Sequence, residues 1–399
     1  MPTSYQHPGS VTGDPNKGSL REYSVVYTDR AINLMAAPFG QVMRDISTNL
    51  KEVYSAQHVA VIPGSGSYGM EAVARQFGWK QEVLVIRNGY FSYRWSDIFH
   101  VCDIPKAGGE TVMKAGVVAD ADTETPQFGP HCLHAVLTAI RAKQPAAVFA
   151  PHVETSTGMI LSDAYLTAVA TAVHAYGGVF IVDSIASGNI WVNMAATGVD
   201  VLISAPQKGW SGPACCGLVM LSDHGRAVCD SVESSSFCCN LGKWLTVMDK
   251  YESGGFMYYT TLPTDSLTAF RDVMLEARAY GYAKCKARMF ELGAKVRAAL
   301  EQRGYKSVAA EGYKSVRVIF RVVVFSRFLL APSPRPLCVA CPPPSAPPSN
   351  PRRHSLGWWS ATSRTPLRRA AWSEPLKLPA FKLRVVFPLS STSQSTREQ

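Results

Sequence analysis

Three stretches of this 399-residue chain bring together residue types that could do chemistry. The first, Gly64-Ser65-Gly66-Ser67-Tyr68-Gly69, follows an apolar run, His58–Pro63, and opens a segment of helical period, Met70–Phe77. Glycine lets a chain turn tightly and come close to an anion, while the free amides and dipole of a helix N-terminus favour negative charge. A phosphate site is therefore expected, against the plainer reading of a glycine-rich connection with no ligand. The letters also match G-x-G-x-x-G, the dinucleotide fingerprint, which wants an acid about 20 residues further on. Arg87-Asn88-Gly89 stands there instead, which speaks against NAD and keeps an NADP-linked oxidoreductase as the rival reading.

The second stretch is Gly178–Ser187, in which Asp183 ends an apolar run. A carboxylate at the C-terminal end of a buried parallel strand lies on the edge where open α/β sheets bind ligands, although it can equally cap the next helix. In the third, Lys208 follows the apolar run Val201–Ser204 and is confined between Pro206 and Gly209, with Gly212 and Pro213 beyond. A lysine is ordinarily solvated, but partial desolvation and neighbouring cations lower its pKa and free the amine to bond an aldehyde. A phosphate loop, a strand-end aspartate and a loop lysine 25 residues later are together the parts that hold pyridoxal phosphate. The aspartate keeps the pyridine nitrogen protonated, so that the ring withdraws electrons, and the lysine carries the aldehyde.

With these motifs in view, the stretch from about Glu22 to Val316 resembles a class V aminotransferase of fold type I, most of all its alanine–glyoxylate and serine–pyruvate branch. The matching runs are Pro63–Ala74, Arg87–Arg94, His152–Gly158, Val182–Ser187 and Ser204–Lys208, in that order. The resemblance implies that Ser65, Gly66 and Ser67 hold the phosphate of pyridoxal 5'-phosphate and that Gln207 contacts it. It implies that Phe91 stacks on the ring, that Ser156 touches the ring or its phenolic oxygen, that Asp183 pairs with the ring nitrogen, and that Lys208 bonds the aldehyde and serves as general base. It further implies a homodimer in which Tyr258 and Thr261 reach the partner's phosphate. The implied reaction moves an amino group from a small L-amino acid, alanine or serine, to a 2-oxo acid such as glyoxylate or pyruvate. Plainer readings stand beside these: Phe91 as core, Ser156 and Thr157 as turn residues, and Met257–Pro263 as an ordinary connection. Gln207, not histidine, precedes the lysine, which favours transamination over the family's cysteine desulfurases. The chain departs from the family pattern at Tyr27–Ala31, where a Pro-Gly-Pro-type loop is usual, and after Val316, where the carboxylate-binding arginine is not found. A catalytically impaired homologue that still binds the cofactor is therefore a further alternative.

Such residues need a frame to position them. Short β-branched runs at Val59–Ile62, Val83–Ile86, Ala147–Ala150, Val179–Val182, Val201–Ser204 and Leu218–Leu221 read as strands. Helical period covers Gly69–Phe77, Pro130–Lys143, Leu161–Tyr176 and Leu267–Arg303, the last as one helix or two. The alternation predicts an α/β fold around a parallel sheet; the resemblance implies that the sheet is mostly parallel, seven-stranded and flanked by helices, and that a smaller C-terminal α+β domain follows, altered here. The expected divisions are an N-terminal arm over 1–20, a cofactor-binding domain over 21–275, a helical bridge over 276–316 and an atypical tail over 317–399. The tail is Pro-, Arg- and Ser-rich: residues 326–399 hold 13 of the 26 prolines and carry a net charge of +9, whereas residues 1–325 carry only +1. The overall charge of +10 is thus no sign of a nucleic-acid surface. Ten scattered cysteines do not read as a disulfide framework, and the single pair Cys338 and Cys341 lacks the second pair a zinc site wants. No leader is recognised and no apolar run reaches the roughly 18 residues of a membrane span, so an intracellular, cytoplasmic protein is expected, with a peroxisome-like organelle or mitochondrion as alternatives.

Overall fold

Short β-branched runs, buried along their whole length, build the centre of a seven-stranded sheet in the computed structural model, which describes residues 32–118 and 125–316 and the backbone of Arg321–Val322. The expected arm over 1–20, Tyr27–Ala31 and the tail over 317–399, save the backbone of Arg321–Val322, lie outside the described residues. The strands are β1 His58–Pro63, β2 Val83–Arg87, β3 Glu110–Lys114, β4 Ala147–Pro151, β5 Val179–Asp183, β6 Val201–Ser204 and β7 Cys216–Leu221. They lie in the order β1-β7-β6-β5-β4-β2-β3. Only β7 runs against its neighbours; every other pairing is parallel. β1 to β6 therefore all point one way, and their C-terminal ends share one edge. β4 to β7 have no exposed position, as expected of strands covered on both faces. β3 was not foreseen, because this border strand is half-exposed and ends in Glu110 and Lys114.

The helices are α1 Ala37–Tyr54, α2 Gly66–Phe77, α3 Tyr90–Val101, α4 Leu133–Lys143, α5 Asp163–His174, α6 Met194–Thr197, α7 Asp223–Ser231, α8 Leu241–Glu252, α9 Thr264–Tyr280 and α10 Tyr282–Glu301. α1, absent from the sequence reading, buries Phe39, Met43, Ile46, Leu50 and Tyr54 on one helical face and packs on α8 and α9. The long helical stretch is two helices, broken where Gly281 takes φ +101°. Among the described residues no helix is long and apolar enough to cross a membrane.

One backbone contact sets the height of α2 above the sheet. A Cβ added at Gly217 in β7 would lie 2.8 Å from both Gly69 N and Ser65 O, which are main-chain atoms that cannot give way. The reciprocal position is looser, since a Cβ at Gly69 would meet Gly217 Cα at 3.4 Å. Gly217→Ala is expected to cost about 1–3 kcal/mol by pushing the first turn of α2 off the sheet. Gly69→Ala should be neutral or stabilising, because alanine suits a helix interior better by about 1 kcal/mol. Chemical denaturation of the two variants checks the contrast, and equal losses would refute it.

Candidate active site

Three of the strands that share the C-terminal edge deliver the residues singled out in the sequence. β1 is followed by Gly64, whose φ of +123° favours glycine, and whose amide donates to Cys215 O at 2.9 Å. Ser65 then caps α2 with extended backbone, Gly66 opens the helix, and Ser67 is exposed. β5 ends in Asp183, which is 8% exposed and accepts one hydrogen bond, from Ile185 N to Oδ1 at 2.9 Å. Burial pushes its carboxyl up to about 6, opposed by that hydrogen bond, raised further by the like charge of Glu154, and lowered by Arg94 and Lys208. β6 leads through buried Ala205 and Pro206 into Gln207 and Lys208.

The three loops interlock through small residues. A Cβ at Gly66 would lie 2.6 Å from Ile185 Cδ1 and 3.3 Å from Ala205 Cβ. A Cβ at Gly209 would lie 2.4 Å from Gly188 O, so the loop after β6 presses on the loop after β5, backbone to backbone. This contact confines the Lys208 backbone, but the residue itself is exposed, unlike the partial burial expected of it. Only the main chain around it is enclosed.

The loops after β2 and β4 form the adjoining wall. Phe91, in the first turn of α3, is half-buried, with the Arg94 guanidinium 5.2 Å from its ring centre. Arg94 also donates from Nη1 to Ser67 Oγ at 3.1 Å, joining this wall to the first turn of α2. Ser156 Oγ donates to Glu154 Oε1 and accepts from Tyr90 N, both at 2.8 Å. A hydroxyl has one proton, so that of Ser156 is committed to Glu154. His152 donates its amide to Asp183 O at 2.8 Å, and its Nδ1 lies 2.7 Å from Ser187 Oγ. Burial, with Lys286 adding to it, pushes the imidazole down to about 3 and keeps it neutral. Arg87 packs against the Tyr93 ring at 4.6 Å and donates to Ser96 Oγ at 3.2 Å.

Tyr258 and Thr261 stand apart: both are exposed, and no hydrogen bond or ring contact among the described residues ties them to Lys208, Asp183 or the loop 64–69. Three residues without a role in the sequence reading belong to the constellation: Glu154, Arg94 and His152. Each was visible inside a quoted run, yet nothing local marks which way its side chain faces.

The donor set suits a phosphate-bearing pyridine. Gln207 Oε1 and Ser184 Oγ are buried and lack a hydrogen-bond partner among the described residues. A half-turn of the Gln207 amide exchanges its oxygen for a donor NH2, so it can face an anion. The amides at the start of α2 favour the same charge, and Asp183 suits a ring N–H.

No protein-family model matches the chain. It is 27% identical to an L-aspartate–glyoxylate aminotransferase of Paracoccus denitrificans over 277 residues, 68% of this chain and 65% of that protein. It is 27% identical to a 2-aminoethylphosphonate–pyruvate transaminase of Salmonella enteritidis over 245 residues, 60% of this chain and 61% of the relative. The chain thus spans a little under two thirds of the length of these curated relatives. Among solved structures it is similar to an alanine–glyoxylate aminotransferase from Nostoc sp., with a TM-score of 0.61, 20% identity and 72% of each chain covered. It is also similar to a ureidoglycine–glyoxylate aminotransferase from Bacillus subtilis, with a TM-score of 0.60, 19% identity, and 73% of this chain and 72% of the other covered.

The raised carboxyl has a measurable consequence in the protein free of ligand. Unfolding returns Asp183 from about 6 to its ordinary 3.8, so the folded form holds the proton more tightly. Its contribution to stability is full below about pH 4 and is lost as pH rises through about 6. Asp183→Asn keeps the acceptor for Ile185 N and removes the buried charge. Above pH 6 the variant should melt at a higher temperature than the parent, and near pH 4 the two should converge. A variant that melts lower at pH 8 would overturn this reading.

Proposed function

Because the chain belongs to the class V aminotransferases of fold type I, a family that uses pyridoxal phosphate, we propose that it is a pyridoxal-phosphate aminotransferase acting on a small L-amino acid, alanine or serine, and a 2-oxo acid such as glyoxylate or pyruvate. One observation carries the reading. Asp183 and Lys208 leave neighbouring parallel strands at the same edge, in loops locked together at Gly188 and Gly209, beside the N-terminus of α2. That is what a ring nitrogen, an aldehyde and a phosphate on one small molecule require.

In this proposal Ser65, Gly66, Ser67 and Gln207 hold the phosphate, Phe91 covers a face of the ring, Asp183 meets its nitrogen and Lys208 binds its aldehyde. When bound, the cofactor draws electrons from the substrate Cα and makes its proton acidic. Asp183 is kept at its post by the Ile185 amide and by His152, which grips the backbone at the end of β5. Beside a cation a buried carboxylate ionises more readily, so Asp183 serves as the anion there. Lys208 Nζ takes the proton from Cα; its exposed position on a confined backbone gives reach without wandering. With its proton given to Glu154, Ser156 acts on the ring by fixing the wall behind it. The expected divisions at 1–20, 21–275, 276–316 and 317–399, and a homodimer completed by Tyr258 and Thr261, belong to the same proposal.

Borohydride reduction of the protein with pyridoxal phosphate, followed by peptide mapping, should place the label on Lys208. In unreduced protein, alanine or serine should drive amination of glyoxylate, or serine that of pyruvate, and Lys208→Ala should abolish it. A label elsewhere, or none, would sink the assignment. Mixing Lys208→Ala with Tyr258→Ala chains tests the dimer: activity that neither variant has alone should return if sites are shared, and its failure to return would mean that each chain is self-sufficient.

A further inference from the structure

The proposed chemistry leaves one buried carboxylate unused. Glu154 is wholly buried, at 0% exposure, where a two-residue ladder, Val153–Glu154 against Met159–Ile160, turns the loop after β4. Its Oε1 accepts hydrogen bonds from Phe91 N at 3.2 Å, Ser156 N at 3.0 Å and Ser156 Oγ at 2.8 Å. Its Oε2 accepts from Ser92 N at 2.8 Å and Ser92 Oγ at 2.7 Å. The Ser92 hydroxyl itself accepts from the amides of Asn88 and Gly89, at 2.9 and 3.0 Å, so its proton goes to an acceptor, and Glu154 Oε2 at 2.7 Å is nearer than Gly89 O at 3.2 Å. Every group that meets either oxygen is a donor.

Five donors crowd the two oxygens, which suits an anion, whereas a carboxyl proton would have to compete for the one lone pair left on Ser156 Oγ. Three of the donors are main-chain amides, and two of those lie in the first turn of α3, where the helix dipole also favours an anion. Among the described residues no lysine or arginine pairs with Glu154. Space has been kept for it as well, since a Cβ at Gly89 would lie 2.8 Å from Glu154 Cγ and 2.1 Å from Ser156 Oγ. A buried charge without a counterion is costly to keep. It is kept here at the centre of the contact between the loops after β2 and β4, which Ser156 Oγ, accepting from Tyr90 N at 2.8 Å, and Thr157 Oγ1, donating to Asn88 O at 3.2 Å, also bridge.

We propose that Glu154 is a positioning residue: as an anion it locks Asn88–Ser92 and Glu154–Gly158 into a single wall, fixing Phe91 where it covers the cofactor ring and setting a second negative charge beside Asp183. The lock stands on the hydrogen bonds alone, whereas its bearing on the ring rests on the proposed function. Glu154 follows Pro151, which pairs with Asp183 between β4 and β5, and His152, whose amide donates to Asp183 O at 2.8 Å, and the raised carboxyl of Asp183 agrees with a second charge there. Glutamine has the same shape but turns one acceptor into an NH2 that faces donors, so Glu154→Gln should break the lock without emptying the site.

Two readouts test this. In the protein without cofactor, hydrogen exchange should accelerate about tenfold or more across both 88–92 and 154–158 in Glu154→Gln, with α5 unchanged. Unchanged exchange, or a change confined to one segment, overturns the lock. With pyridoxal phosphate bound, the midpoint of the pH titration of its visible band should move to lower pH in Glu154→Gln, since a cation loses a nearby anion. The midpoint should stay in place in Ser156→Ala, which keeps the charge. A midpoint that does not move in Glu154→Gln overturns the second-charge role. A parent chain that gives no visible band refutes the proposed function, and the exchange result still decides the lock. Should Glu154→Gln fail to fold, Ser92→Ala carries the exchange test, with faster exchange in both segments expected and no change overturning the lock.

Discussion

Two carboxylates are buried at the C-terminal edge of the sheet without a bonded cation among the described residues, and the difference in how they are solvated organises the site. Glu154 receives five hydrogen bonds, three from main-chain amides, so the protein itself replaces the water it has lost. Asp183 receives one. Burial then lifts its carboxyl to about 6, which leaves it under-solvated and responsive to whatever charge comes next to it. A saturated anion is architectural and an unsaturated one is reactive, and here Asp183 ends β5 while Glu154 lies in the loop after the neighbouring β4.

The sequence made this edge legible unevenly. Asp183 and Lys208 could be read because each closes an apolar run, and in a parallel sheet the end of such a run has only one place to be. The glycine loop could be read because its small residues follow a strand and open a helix. Glu154 could not, since it stands among Thr155, Ser156 and Thr157 like any loop acid, and its partners Phe91 and Ser92 lie more than 60 residues earlier. The exposure of Lys208 was missed for a similar reason: Pro206 and Gly209 advertise a confined backbone, and the sequence does not show that only the backbone is confined. β3 escaped because a border strand with charged ends lacks the apolar run by which the inner strands were found. α1 escaped although its apolar spacing is regular.

Glycine does two different jobs in this arrangement. At Gly64 it supplies a backbone angle. At Gly89, Gly209 and Gly217 it supplies absence, letting side-chain oxygen, carboxylate or main chain occupy the volume that a Cβ would fill, and at Gly66 the Ile185 side chain takes that volume. The second job gives the site its rigidity, because a contact between two backbones has no rotamers to explore.

The pairing of β1 with β7 also orders the events by which the molecule assembles. Among the described residues β1 is an outermost strand whose one neighbour is β7, in a register running from His58 opposite Leu221 to Pro63 opposite Cys216. More than 150 residues separate the partners, so on a nascent chain the first strand made waits for the last strand of the sheet. Closing so long a loop is slow, and the strand stays unpaired meanwhile. The Gly64 turn is held by Cys215 and the start of α2 by Gly217, both at that late-arriving end. The turn proposed to hold an anion therefore takes shape only when β7 has joined the sheet, and affinity for an anion there would report on completed folding, not on the glycine motif alone.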